Sequence, residues 1–127
     1  MDKSKVILIV DDSASIRVQM RLLLEKANFK VRLAGNKLGM MNAIEEYGKC
    51  VDLIIMDLSL KDEHGFDLIK TLKENSKYKH IPILVLTEYA ERDNVIKAKK
   101  IGVKGYMKKP IIKEDMIEKI EASLRKE

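Results

Sequence analysis

Three short runs of this chain are apolar without interruption: Val6-Ile7-Leu8-Ile9-Val10, Leu53-Ile54-Ile55-Met56 and Ile83-Leu84-Val85-Leu86. A strand with one face in water alternates apolar and polar residues, whereas a strand covered on both faces does not. These runs therefore predict strands in the middle layer of a sandwich. Two further candidates complete the set, and strands are expected over residues 5–11, 30–34, 51–57, 82–87 and 103–107. The stretches between them repeat apolar residues at helical spacing. Ile16, Met20, Leu23, Leu24 and Ala27 mark the first helix, and Met40, Met41, Ile44 and Tyr47 the second. Phe66, Ile69 and Leu72 mark the third, Val95, Ala98 and Ile101 the fourth, and Met116, Ile117, Ile120 and Leu124 the last. The methionines in these patterns read as core filler.

Alternation of strand and helix with short connections predicts an α/β fold, a doubly wound three-layer sandwich with right-handed crossovers. For five parallel strands the flavodoxin-like order 2-1-3-4-5 fits best, and it puts the first and third strands side by side at the switch point. Ser13 can cap the first helix. Pro82 stands at a strand start, where its missing N–H costs little, and Gly48, Gly65, Gly102 and Gly105 are expected at helix ends or turns. With no linker, repeat or low-complexity stretch, residues 1–127 read as one domain.

Composition narrows the functional classes. A single cysteine, Cys50, excludes an internal disulfide and fits a reducing cytoplasmic compartment; its place just before a strand suggests packing. His64 and His80 have no cysteine partners at zinc spacing. No apolar run approaches a membrane span or a signal-peptide core. The net charge of +5 reads as a solvated lysine-rich surface, because aromatics are only 5% and no nucleic-acid motif is present. Its one concentration, Lys97, Lys99, Lys100, Lys104, Lys108 and Lys113, suggests a partner-facing surface more than a nucleic-acid groove.

Polar signatures stand downstream of the strand runs: Asp11-Asp12 after the first, Asp57 after the third, Thr87 after the fourth and Lys109-Pro110 after the fifth. In open parallel sheets ligands bind beyond the carboxyl ends of the strands, so these residues are expected in one pocket. Three crowded carboxylates repel one another unless a cation joins them, and Mg²⁺ takes oxygen ligands of this kind together with phosphate oxygens. Asp57 could then attack phosphorus as a nucleophile, with Thr87 and Lys109 stabilising the phosphoryl oxygens. Singly, each residue has an ordinary reading: a helix cap, a loop carboxylate, a strand-end threonine, a surface lysine. Four such readings in register at four strand ends are hard to sustain. An X-Pro bond at Lys109-Pro110 can also be cis.

With these residues in place the chain resembles the receiver domain of two-component response regulators, most closely the single-domain chemotaxis type, over essentially its whole length. The family pattern reads here as Asp11-Asp12, Asp57, Thr87 and Lys109-Pro110, with Tyr106 at the position of an aromatic switch residue. The resemblance implies Mg²⁺ bound through Asp11, Asp12, Asp57 and the backbone carbonyl of Ser59. It implies a histidine kinase or phosphotransfer protein as donor to Asp57, and Thr87 and Lys109 as ligands of the phosphoryl group. Tyr106 would reorient with Thr87 as the face of the fourth helix, fifth strand and fifth helix is remodelled for an output domain or protein. Such a domain acts only on itself and is not an enzyme in the usual sense. It is expected to be a monomer or a phosphorylation-dependent dimer, without direct contact to nucleic acid or membrane.

Three positions depart from the common form: Lys61 replaces a proline, His64 replaces an Asp or Asn before Gly65, and Glu88 replaces a small residue after Thr87. Glu88 would add bulk and charge at the pocket mouth. The competing enzyme reading is a Mg²⁺-dependent aspartyl-phosphate hydrolase of the haloacid-dehalogenase type, but that class carries Asp-x-Asp, and here the third position is Ser13. A flavin carrier would not place Asp-Asp against a phosphate, and no P-loop or Gly-x-Gly-x-x-Gly occurs. A pseudo-receiver would lack the Asp or the Lys. The sequence leaves open the kinase, the output partner, and whether the chain stands alone or belongs to a longer regulator.

Overall fold

A computed structural model describes residues 5–60, 64–88 and 92–125 of the chain. The strands are β1 (Val6–Val10), β2 (Lys30–Ala34), β3 (Val51–Asp57), β4 (Ile83–Thr87) and β5 (Gly105–Lys108). Between and after them run α1 (Ala14–Lys26), α2 (Lys37–Tyr47), α3 (Gly65–Lys73), α4 (Arg92–Lys100) and α5 (Lys113–Leu124). Every strand pair is parallel, and the sheet order is the expected β2-β1-β3-β4-β5.

Successive side chains of a strand point to opposite faces, so each apolar run feeds two cores. Ile7, Ile9, Leu53, Ile55, Leu84, Leu86 and Met107 pack with Met20 and Leu24 of α1 and Met116 and Ile120 of α5. Leu8, Val10, Ile54, Met56, Ile83 and Val85 pack with Met40 and Ile44 of α2, with Phe66, Ile69 and Leu72 of α3, and with Ala98 of α4. Met20, Met40, Met56, Met107 and Met116 are all core residues. Burial on both sides is what keeps the three central runs free of polar residues.

Local chemistry sets the helix starts. The Ser13 hydroxyl accepts from the N–H of Ile16 at 3.3 Å, and Asn36 Oδ1 accepts from the N–H of Gly39 at 2.8 Å. His64 does the same for α3: its Nδ1 accepts from the N–H of Phe66 at 3.2 Å, and its ring stacks on that phenylalanine. The unusual histidine before Gly65 is thus a working cap. Lys61 lies outside the described residues.

Three expectations need correction. The fifth strand begins at Gly105 rather than at 103, because the N–H of Val103 is taken by the carbonyl of Ala98 in closing α4. Gly105 is therefore a strand residue and not a turn; a Cβ there would lie 2.7 Å from Leu84 Cδ2 on the neighbouring strand. Cys50 is exposed and is not among the buried core residues. It precedes Val51, the first residue of β3 to point inward.

Candidate functional site

Register brings the acidic residues together. Val10 pairs with Met56, so the chain leaving β1 emerges beside Asp57 at the end of β3. On the far side Asp57 pairs with Leu86 and Thr87 with Lys108, which sets Lys109 just beyond β5 at the same level. One carboxylate oxygen from each of Asp11, Asp12 and Asp57 lies within 4.8 Å of the others.

The two buried acids are held in the same way. Asp11 Oδ1 accepts from the N–H of Ser13 at 2.9 Å, and Asp57 Oδ1 from the N–H of Ser59 at 3.0 Å. Their second oxygens face the Lys109 ammonium, at 3.2 Å for Asp11 and 3.4 Å for Asp57. The Lys109-Pro110 peptide is cis, and the N–H of Lys109 donates to the Thr87 carbonyl at 2.7 Å. Asp11 is 0% and Asp57 2% exposed, while Asp12 stands at the surface.

Electrostatics follow from this burial. Desolvation, the largest influence, pushes the Asp57 carboxyl above its ordinary range; the Ser59 N–H pulls it down, Asp11 raises it further and Lys109 opposes, leaving a net upward shift. For Lys109 burial works downward, but the charges of Asp11 and Asp57 together outweigh it and its pKa is raised. One lysine thus serves two buried carboxylates.

The residues present fit a divalent cation. Asp11 Oδ2 is buried without a well-aligned hydrogen bond, and three oxygen donors converge within reach of one ion. Hard oxygen donors of this kind suit Mg²⁺.

A cleft of about 530 Å³ opens over this cluster, lined by Asp12, Ser13, Ile16, Asp57, Ser59, Glu88, Lys109 and Pro110. Thr87 is buried at the end of β4 and does not line it. Tyr106 is half-buried on β5 and packs against the core shared with α2, α3 and α4. Glu88 is exposed on the rim. Pairing of Glu88 with Arg92 falls on a side chain outside those described.

One residue near the site escaped the sequence reading. Arg17 of α1 donates from Nη1 to the carbonyl of Asp11 at 2.6 Å. Its guanidinium fills the space over Gly35, where a Cβ would come within 2.9 Å of Nη1. The spacing Asp-x₅-Arg from Asp11 is the only trace of this contact in the sequence.

Comparison with known proteins agrees with this geometry. Residues 7–121 match the family model of the response regulator receiver domain. The chain is 34% identical over 122 residues to the phosphate regulon transcriptional regulatory protein PhoB of Pseudomonas aeruginosa. That match takes in 96% of the chain and 52% of the relative, so the chain spans about half of that protein's length. It is 30% identical to chemotaxis protein CheY-3 of Vibrio cholerae, covering 95% of the chain and 92% of the relative. Among solved structures, chemotaxis protein CheY4 of Vibrio cholerae superposes with a TM-score of 0.85 at 30% identity, covering 95% of this chain and 99% of that one. A receiver domain protein of Clostridium thermocellum gives 0.86 at 26% identity, covering 94% of each chain. Nothing in these comparisons supports the hydrolase alternative. An acidic cluster bridged by one lysine, at the carboxyl edge of a 2-1-3-4-5 sheet and matched along 7–121, makes this chain a member of the response regulator receiver domain family, the phosphoacceptor signalling module of two-component systems.

Proposed function

We propose that Asp57 is the residue phosphorylated, and that its donor is the phosphohistidine of a histidine kinase or phosphotransfer protein. An Asp57 carboxylate oxygen attacks phosphorus, the P–N bond breaks, and its electron pair leaves with the imidazole. The observation that carries this reading is the position of Asp57: on the cleft lining, one oxygen fixed by the Ser59 N–H, the other facing Lys109 at 3.4 Å. Asp11, Asp12, Asp57 and the Ser59 backbone carbonyl would hold Mg²⁺, which when bound supplies positive charge against the carboxylates and phosphoryl oxygens.

Lys109 shifts from Asp57 to a phosphoryl oxygen, and Thr87 donates its hydroxyl to another. The phosphoryl group adds about −1.5 to −2 charges and three acceptor oxygens. Movement of Thr87 toward it leaves space for the half-buried Tyr106 ring to turn inward, which remodels the face of α4, β5 and α5 for an output partner. A coupling of about 1–3 kcal/mol is enough to shift such a two-state equilibrium. The protein acts on itself alone, in the cytoplasm. Incubation with acetyl phosphate and Mg²⁺ followed by intact mass measurement should show one phosphate on the parent and none on Asp57→Asn. Equal uptake by the variant would overturn the assignment.

A further inference from the structure

We propose that Glu88 selects phosphodonors by the charge of their leaving group, favouring nitrogen–phosphorus donors over acyl phosphates. The inference rests on Asp57 as phosphoacceptor and adds a specificity residue to that site. Asp57 is 2% exposed and forms the floor of the cleft, whereas Glu88 is an exposed part of its rim. In-line displacement sends the leaving group away from the attacking oxygen, hence from floor to mouth. Among the described residues the only cation lining the cleft is Lys109, already engaged by Asp11 and Asp57. Among the described residues no cation pairs with Glu88. A departing group therefore passes the exposed Glu88 carboxylate on its way out of the cleft.

Two classes of donor respond oppositely. Phosphoramidate carries a protonated nitrogen, as does the ring of a protonated phosphohistidine. When the P–N bond breaks, its electron pair goes to nitrogen, and the group that was cationic leaves as a neutral amine. Glu88 attracts that cation on approach and retains part of the attraction in the transition state. Acetyl phosphate instead breaks a P–O bond, and the pair leaves on acetate, so negative charge grows toward the rim. Glu88 repels that donor at every stage.

The test measures phosphorylation rates of parent, Glu88→Gln and Glu88→Ala by intact mass, with phosphoramidate and with acetyl phosphate, at low and high ionic strength. The ratio of the two rates cancels any general loss of folded protein. At low salt Glu88→Gln should raise the acetyl phosphate rate several-fold and lower the phosphoramidate rate, moving the ratio on the order of tenfold. Glu88→Ala should match it, and high salt should shrink the change. An unchanged ratio in Glu88→Gln overturns the role of Glu88 while leaving Asp57 in place. Equal acceleration with both donors, in Glu88→Ala alone, overturns it in favour of simple obstruction. Uptake by the parent from neither donor overturns the Asp57 reading and this one with it.

Discussion

Asp11 and Asp12 are chemically identical neighbours, yet β1 ends between an inward and an outward position, so one is buried under the cleft and the other stands in water. The sequence announced the pair but not this division of labour, because a strand's last turn outward depends on what covers it. Arg17 was less legible still: a lysine or arginine on a helix is usually a solvated charge, and nothing local says that it reaches back six residues. Its hydrogen bond to the Asp11 carbonyl is charge-assisted and short. It fixes the backbone that presents both acids. Arg17→Ala should weaken Mg²⁺ binding about 3- to 10-fold, the equivalent of roughly 1 kcal/mol. Gly35→Ala should produce a similar loss without touching any charged residue, since its methyl group would displace the guanidinium from that carbonyl. Calorimetric titration of the three proteins checks this; full affinity in Gly35→Ala would show that Arg17 has another way to reach Asp11.

At the scale of elements, the strands were readable because burial on both faces removes polar residues from β1, β3 and β4, and the helices because their apolar spacing is regular. What sequence could not show is how strands meet. β1 and β3 change register between Val6 and Ile7: Val6 pairs with Val51 but Ile7 with Leu53. The irregularity leaves the Val6 N–H without a ladder partner, and the Asp52 carboxylate takes it at 2.8 Å. Register is a tertiary fact, and nothing in the sequence around Asp52 marks it as a partner for β1. Its carboxylate caps β1 at the point where the register changes, and beyond that point Val10 pairs with Met56. Asp52→Ala should cost about 1–2 kcal/mol of stability, read as a lower denaturant midpoint with unchanged slope. Asp52→Asn should recover most of it, because its amide oxygen can accept the same N–H. A neutral Asp52→Ala would mean that water serves Val6 equally well.

For the whole molecule the functional cluster and the fold pull in opposite directions. Two carboxylates with little or no exposure share one ammonium, and the raised pKa of Asp57 says that its ionised form is disfavoured where it sits. A carboxyl whose folded pKa is raised stabilises the protein when protonated and loses that stability as pH climbs through the folded value. At neutral pH the metal-free protein therefore carries a cost that Asp57→Asn removes, while Lys109 keeps Asp11 as its partner. The variant should be more stable in chelator at pH 7 by about 1 kcal/mol, or about 4 °C in melting temperature for a domain of this size. The gap should narrow on acidification through the raised Asp57 value and close below the ordinary 3.8. Mg²⁺ should reverse the order, since an ion bound only by the folded state adds about 2.7 kcal/mol at a hundredfold excess over its dissociation constant. The parent would gain most of that, and Asp57→Asn, lacking a charged ligand, much less. Equal melting temperatures in chelator at pH 7 would mean that the Lys109 ion pair fully offsets the burial of Asp57, and the site would then cost the fold nothing.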